Sequence, residues 1–415
     1  MSGHGNAKAV TQDHAVTKDH AVTKDLSLPA GHPLARMAPI AGGVGVLALA
    51  ATFLLGGADK ATYASYLVGF FYALTLALGG LVFVLIQFAS RAGWSVAVRR
   101  LAEHAAGTLP LFALLFVPLA LGVQALYPWT DVEHLDAIVE GKTAFLNPTG
   151  WLVRGVAYVA LWSLLGWFFR RRSLSQDADA RPETTRKLQS LSAPALIVFG
   201  VTVTFASFDW LMSIDPHWYS TIFGVYVFAG CMVAILAFLP LVTIAGERWG
   251  DKPPLAGVVT VEHYHDVGKL LFGFVVFWAY IAFSQFMLIW YGAIPEETAW
   301  YAERLHGSWR GATLALAIGH FVLPFFILLM RSVKRNRVQL AAVSAWLLVV
   351  HYLDLYWLVM PAVHPEGFAP RLTDLTAWIG ATALFFAAFC WLARRPAMVP
   401  VGDPRLPESL SFENM

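Results

Sequence analysis

Ten apolar runs constrain this chain more than any other feature. Each is about 18 residues or longer, enough to cross a hydrocarbon core as a helix. They fall at roughly Ala38 to Gly57, Tyr63 to Ser90, Thr108 to Leu126, Pro148 to Phe169, Ser190 to Ser213, Tyr219 to Gly246, Asp266 to Gly292, Ser308 to Arg331, Val338 to Met360 and Asp374 to Ala393. A backbone inside lipid must satisfy its own polar groups, so runs of this length predict helices. The chain reads as an all-α polytopic membrane protein with ten transmembrane helices. Composition agrees: 58% of 415 residues are hydrophobic and mean hydropathy is +0.60, where soluble domains are roughly 45 to 50% apolar.

Lys and Arg set the sidedness. Of the 29, 22 lie in segments on the side of the amino terminus and 5 in the alternate segments, which predicts that both termini are cytoplasmic. The net charge is only +2, 29 Lys and Arg against 27 Asp and Glu; a nucleic-acid partner would call for a concentrated basic face. Residues 1–36 read as a disordered cytoplasmic tail, in which the hexad Asp13 to Lys18 recurs as Asp19 to Lys24. Polar composition supports disorder over metal binding by His4, His14 and His20, and the apolar region begins too late for a cleaved signal peptide. Residues 37–395 form the membrane domain and 396–415 a second cytoplasmic tail. The longer loops are expected outside at Tyr127 to Asn147, and inside at Arg170 to Gln189 and Glu247 to His265.

Cys231 and Cys390 lie singly in apolar spans. Without C-x-x-C or C-x-x-C-H, iron–sulfur clusters and c-type haem have no ligand run here. His351 and His364 lack the pairing that a b-type haem needs, so any redox metal is expected in another subunit.

The fifth and ninth spans echo each other. Asp209-Trp-Leu-Met212 and Asp215-Pro-His217 stand against Asp354 to Met360 and His364-Pro365. If spans two to five match spans six to nine, the chain holds two four-helix bundles, at about 62–214 and 219–361, as parallel repeats with the first and tenth helices flanking them.

Ionisable groups inside a membrane are costly and mark transport, relay or ligand sites. His351 and Asp354, three residues apart, share a helix face near the midplane, with His320 on the neighbouring span. A neutral imidazole accepts a proton on one ring nitrogen and releases it from the other, the chemistry of a relay. Toward the inner end, His263, His265, Asp266 and Lys269 lead into the seventh span; helix-start capping is the alternative reading. Toward the outer end, Asp209, Asp215 and His217 fill the hinge between spans five and six. Ser284 and Gln285, with Tyr280 a turn earlier, either bond across helices or line a polar route, while Gln87 and His104 read as interfacial.

The run Phe205 to Gly230, with Asp209-Trp-Leu-Met-Ser-Ile-Asp-Pro-His-Trp-Tyr-Ser220 at its heart, resembles a signature of the NrfD-like membrane subunits of alternative complex III, a bacterial quinol to cytochrome c or oxidase oxidoreductase. Ten spans and this length are most similar to the shorter of its two such subunits. The resemblance implies two four-helix bundles plus two flanking helices in a bacterial inner membrane, and a chain without its own cofactor. Its implied partners are a companion NrfD-like subunit, an iron–sulfur protein and c-type cytochromes that carry haem c and clusters, with lipids around them. It also implies a quinol site in the companion, a possible quinone contact here, and proton conduction through half-channels, to which the ten residues named above correspond by position. The competing readings are a stand-alone secondary transporter with parallel repeats, for which paired Gly or Pro breaks would be expected, and a purely structural anchor.

Overall fold

The computed structural model describes residues 25–29 and 31–414, and among these there is no strand beyond one isolated bridge. Ten helices are long and apolar enough to span a membrane: α1 Pro33–Gly56, α2 Lys60–Ala89, α3 Val96–Leu121, α4 Pro148–Asp179, α5 Pro182–Ile214, α6 Phe223–Arg248, α7 Val261–Gly292, α8 Trp309–Leu329, α9 Arg337–Ala362 and α10 Leu372–Ala393. The protein is thus a membrane-embedded bundle of helices.

Local chemistry starts several of them. Asp59 caps α2 by accepting from the Thr62 amide at 2.7 Å. Asn147 caps α4 through the Gly150 amide at 2.7 Å, with Pro148 at the first helical position. Asp374 closes α10 back onto the Arg371 amide at 2.6 Å. Each supplies an acceptor for N–H groups that the first turn leaves unpaired.

Helices α2 to α5 pack as one set and α6 to α9 as a second, while α1 and α10 pair with each other and lie on α2. α2 and α6 form the centre, with 94% and 83% of their apolar windows buried, against 17% for α1. Small residues let α2 approach so closely: a Cβ on Gly79 would stand 2.3 Å from the Cys231 carbonyl of α6, and one on Gly69 2.5 Å from the Ala377 carbonyl of α10.

Three expectations need correction. The segment from Arg170 to Gln189 is helix rather than loop, because α4 runs on to Asp179 and α5 begins at Pro182. Ten residues beyond Phe169 carry α4 about 15 Å past its apolar part. α3 begins at Val96 rather than near Thr108, so Arg99, Arg100, Glu103 and His104 are buried in the fold, and Gln87 is buried too. In the connection between α7 and α8, Pro295–Leu305 is a further helix.

The two buried arginines of α3 are matched by Glu103 of the same helix and by two acids from elsewhere in the chain. Arg99 pairs with Glu103 at 3.1 Å and with Asp403 at 2.5 Å, while Arg100 pairs with Glu103 at 2.9 Å and Asp177 at 2.7 Å. Asp403 belongs to the segment after α10, which packs firmly: Met398 and Val399 are buried, and Met398 donates to the Leu26 carbonyl at 2.8 Å. Of the expected 1–36 tail, residues 1–24 and 30, with the hexad repeat, lie outside the described residues; Leu26, Leu28 and Leu34 are buried.

Candidate functional site

His320, His351 and Asp354 meet inside the second set of helices, each no more than 1% exposed. One ligand-type atom from each lies within 4.8 Å of the others. α9 presents His351 and Asp354 on one face as their spacing predicts, yet His351 Nδ1 stands 3.9 Å from Asp354 Oδ2, beyond hydrogen-bond reach. His351 is instead held through Nε2 by Thr75 Oγ1 of α2 at 2.9 Å. Asp354 accepts from the Tyr226 hydroxyl of α6 and from Trp278 Nε1 of α7, the latter at 3.1 Å.

His320 sits in a π-helical turn, Ala317–Val322. Pro324 has no N–H to return to the His320 carbonyl, which explains the loosened winding there. Trp346 Nε1 donates to the adjacent Gly319 carbonyl at 2.8 Å. Trp278 lies against the His320 ring at a centroid distance of 3.9 Å. Both His320 ring nitrogens and His351 Nδ1 have no partner among the described residues. Unpaired polar atoms at this burial are rare in structural networks, and here a nitrogen of each imidazole comes within 4.8 Å of the other and of one carboxylate oxygen. The spacing of these three groups would also admit a divalent ion.

The other predicted residues divide. Asp209 is fully buried and fully paired: Arg154 of α4 grips it at 2.9 and 2.6 Å and the Tyr158 hydroxyl donates at 2.8 Å. Asp215 and His217 lie at the surface, where His217 meets Asp136 of the segment between α3 and α4. At the start of α7 His263 is a capping residue, with Nδ1 bound to the Thr260 amide at 3.0 Å and Nε2 3.2 Å from Ser409 Oγ. Asp266 pairs with Lys269, whose Nζ also donates to Asn414 at 2.8 Å. His265 is buried with Nδ1 unpartnered. The structure therefore groups Asp266 and Lys269, groups His320, His351 and Asp354, and keeps Asp209 in a separate clasp.

Sequence reasoning missed Tyr226, Trp278 and Thr75, since aromatic and hydroxyl residues on apolar helices usually signify packing. Gln285, which the sequence offered as a cross-helix or route-lining group, does link elements, though its partners were missed: Ser220 Oγ donates to Gln285 Oε1 at 2.9 Å, and Gln285 Nε2 to the Tyr301 hydroxyl at 3.0 Å. Gln285 lies seven residues after Trp278 and therefore on the same face of α7. Tyr280, offered with it, is exposed. A cavity of about 380 Å³, lined by Tyr226, Trp278, Phe286, Tyr301, Thr313 and Trp357 among others, joins the partners of Asp354 to this linkage.

Asp209 and Asp354 occupy echoing positions on α5 and α9, each taking a tyrosine hydroxyl. Asp209 has an arginine. Asp354 has no bonded Lys or Arg among the described residues. No protein-family model and no curated protein matches this chain.

Proposed function

We propose that this chain is a proton-conducting membrane subunit of a respiratory quinol oxidoreductase of the alternative complex III type, without a redox centre of its own. The observation that carries the reading is the carboxylate of Asp354, buried in the fold without a cation and beside imidazole nitrogens that lack partners. Its echo Asp209, clasped by Arg154, is the structural version of the same position. A buried acid with no counter-charge is the group able to hold a proton and give it up.

In this reading Asp266, Lys269 and His265 take up protons at the inner end, His320, His351 and Asp354 hold them at the centre, and Tyr226, Tyr301, Gln285 and Ser220 lead toward the outer surface near Asp215 and His217. The membrane is a bacterial inner membrane with both termini cytoplasmic, supported by the bias in Lys and Arg. The partners are a companion NrfD-like subunit, an iron–sulfur protein and c-type cytochromes. Two packed sets of four helices with a flanking pair support the family reading. The transporter reading is less well supported, since α4, the counterpart of the interrupted α8, runs unbroken from Pro148 to Asp179.

Asp354→Asn tests the proposal in reconstituted complex. Quinol oxidation without an opposing gradient should persist while protons moved per electron fall, and haem and cluster subunits should co-purify. A second reading is favoured by the aromatic cavity, whose walls include both hydrogen-bond donors to Asp354: it is a quinone contact. Loss of quinol binding in an assembled Asp354→Asn complex would select that reading, and unchanged coupling would reject the relay.

A further inference from the structure

The end of α10 and the protruding part of α4 enclose a recess of about 690 Å³ that the proton pathway does not use. Arg170, Arg394 and Arg395 line it, with Trp391 and the apolar Leu174 and Val401. Its one lining carboxylate, Asp177, is already forked by Arg100 at 2.7 and 2.9 Å. The recess is therefore cationic in effect.

Two of its guanidinium groups are held in place by the fold. Arg170 donates from Nη2 to the Leu392 carbonyl at 3.0 Å and from Nε to His104 Nδ1 at 3.3 Å. Arg394 donates from Nε and Nη2 to the Ala35 carbonyl at 3.1 and 2.8 Å. An arginine has five N–H donors, so each keeps several for a ligand at little further loss of side-chain freedom. Arg395 is exposed and has no partner among the described residues. Neighbouring Arg171 and Arg172 behave differently: they are exposed and lie over Trp167 and Phe168, as interfacial arginines do.

On both helices a tryptophan sits three residues toward the membrane from the recess arginine, Trp167 before Arg170 and Trp391 before Arg394, and both are exposed, at 49% and 66%. Tryptophan at that position marks the headgroup level. Exposed Leu161 and Leu164 continue α4 into the apolar region. We propose that this recess binds the phosphate of an anionic membrane lipid, whose acyl chains run along the exposed apolar faces of α4 and α10. Planar guanidinium forks suit phosphate oxygens, and basic recesses between span ends are where acidic headgroups bind.

The test uses the purified full chain in detergent, with thermal unfolding followed as phosphatidylglycerol, phosphatidylcholine or inorganic phosphate is added, and native mass spectrometry to count bound lipids. Phosphatidylglycerol should raise the unfolding temperature and stay bound, while phosphatidylcholine and inorganic phosphate should not. Arg395→Gln breaks no internal bond and should weaken lipid binding about fivefold, the effect of one basic group at a membrane surface; the double variant R394Q/R395Q should weaken it further. The pair R171Q/R172Q should bind like the parent. Equal binding by R395Q and R394Q/R395Q, an equal loss in R171Q/R172Q, or an equal shift with inorganic phosphate alone would each overturn the proposal.

Discussion

Replacing Asp209 and Asp354 separately by asparagine should separate the two echoing acids by stability. In the first, Asn keeps one acceptor oxygen but turns an N–H₂ group toward donors, and Arg154 loses its counter-charge. Removing one partner of a buried ion pair costs about 3–5 kcal/mol. The Arg154 side chain is 24% exposed and partly hydrated, so the lower end, about 3 kcal/mol, applies to Asp209→Asn. In the second, Asn Oδ1 still accepts from Trp278 Nε1 while its N–H₂ donates to the Tyr226 hydroxyl, which turns to accept; two charge-assisted hydrogen bonds become neutral, a loss of about 1 kcal/mol each. Against this stands relief from burying a carboxylate with no cation, worth several kcal/mol by order of magnitude. Asp354→Asn should therefore be neutral or stabilising. Unfolding temperature and resistance to pulse proteolysis, in one detergent at one pH, measure the difference. Asp354→Asn destabilising as much as Asp209→Asn would refute the reasoning. So would a tolerated Asp209→Asn that lowers protons moved per electron, since the path would then run through Asp209.

Thr75→Val keeps shape but removes the hydroxyl on His351 Nε2; we expect reduced proton transfer in an intact fold, and an unchanged ratio of protons to electrons would exclude Thr75 from orienting the ring. Asp403→Ala leaves buried Arg99 with Glu103 as its remaining acid, at about 3 kcal/mol, and should speed tryptic cleavage at Arg405; unaltered cleavage would show that the segment is held by other contacts. Single cysteines between Glu133 and Lys142 should react with an impermeant reagent added outside, while a cysteine at Ala180, between α4 and α5, should not; the reverse would invert every assignment of side.

The spans were legible because a run of apolar residues long enough to cross lipid has few other destinies. The start of α3 was not, because Arg99, Arg100 and Glu103 resemble a loop until their partners appear, and Asp403 lies about three hundred residues later in the chain. Charge-rich helix is equally hard to tell from loop, which hid the hairpin of α4 and α5. In the site, the spacing of His351 and Asp354 revealed their common face, but a single sequence does not reveal that Tyr226 and Trp278 reach the carboxylate. Arg154 was the neglected signal: a guanidinium inside a span demands an acid, and Asp209 is that acid.

The union of the α3 charges with Asp403 has a consequence for biogenesis. Asp403 follows every span in the chain, so the ribosome must deliver α10 before Arg99 meets its second carboxylate. Helices inserted earlier wait with a cation incompletely matched, and the clasp between Leu26 and Met398 cannot close until then either. Completion of this face thus waits for the insertion of all ten helices. A pulse-chase experiment should find α3 protease-sensitive in nascent chains that end at Ala393 and protected once residue 403 has emerged.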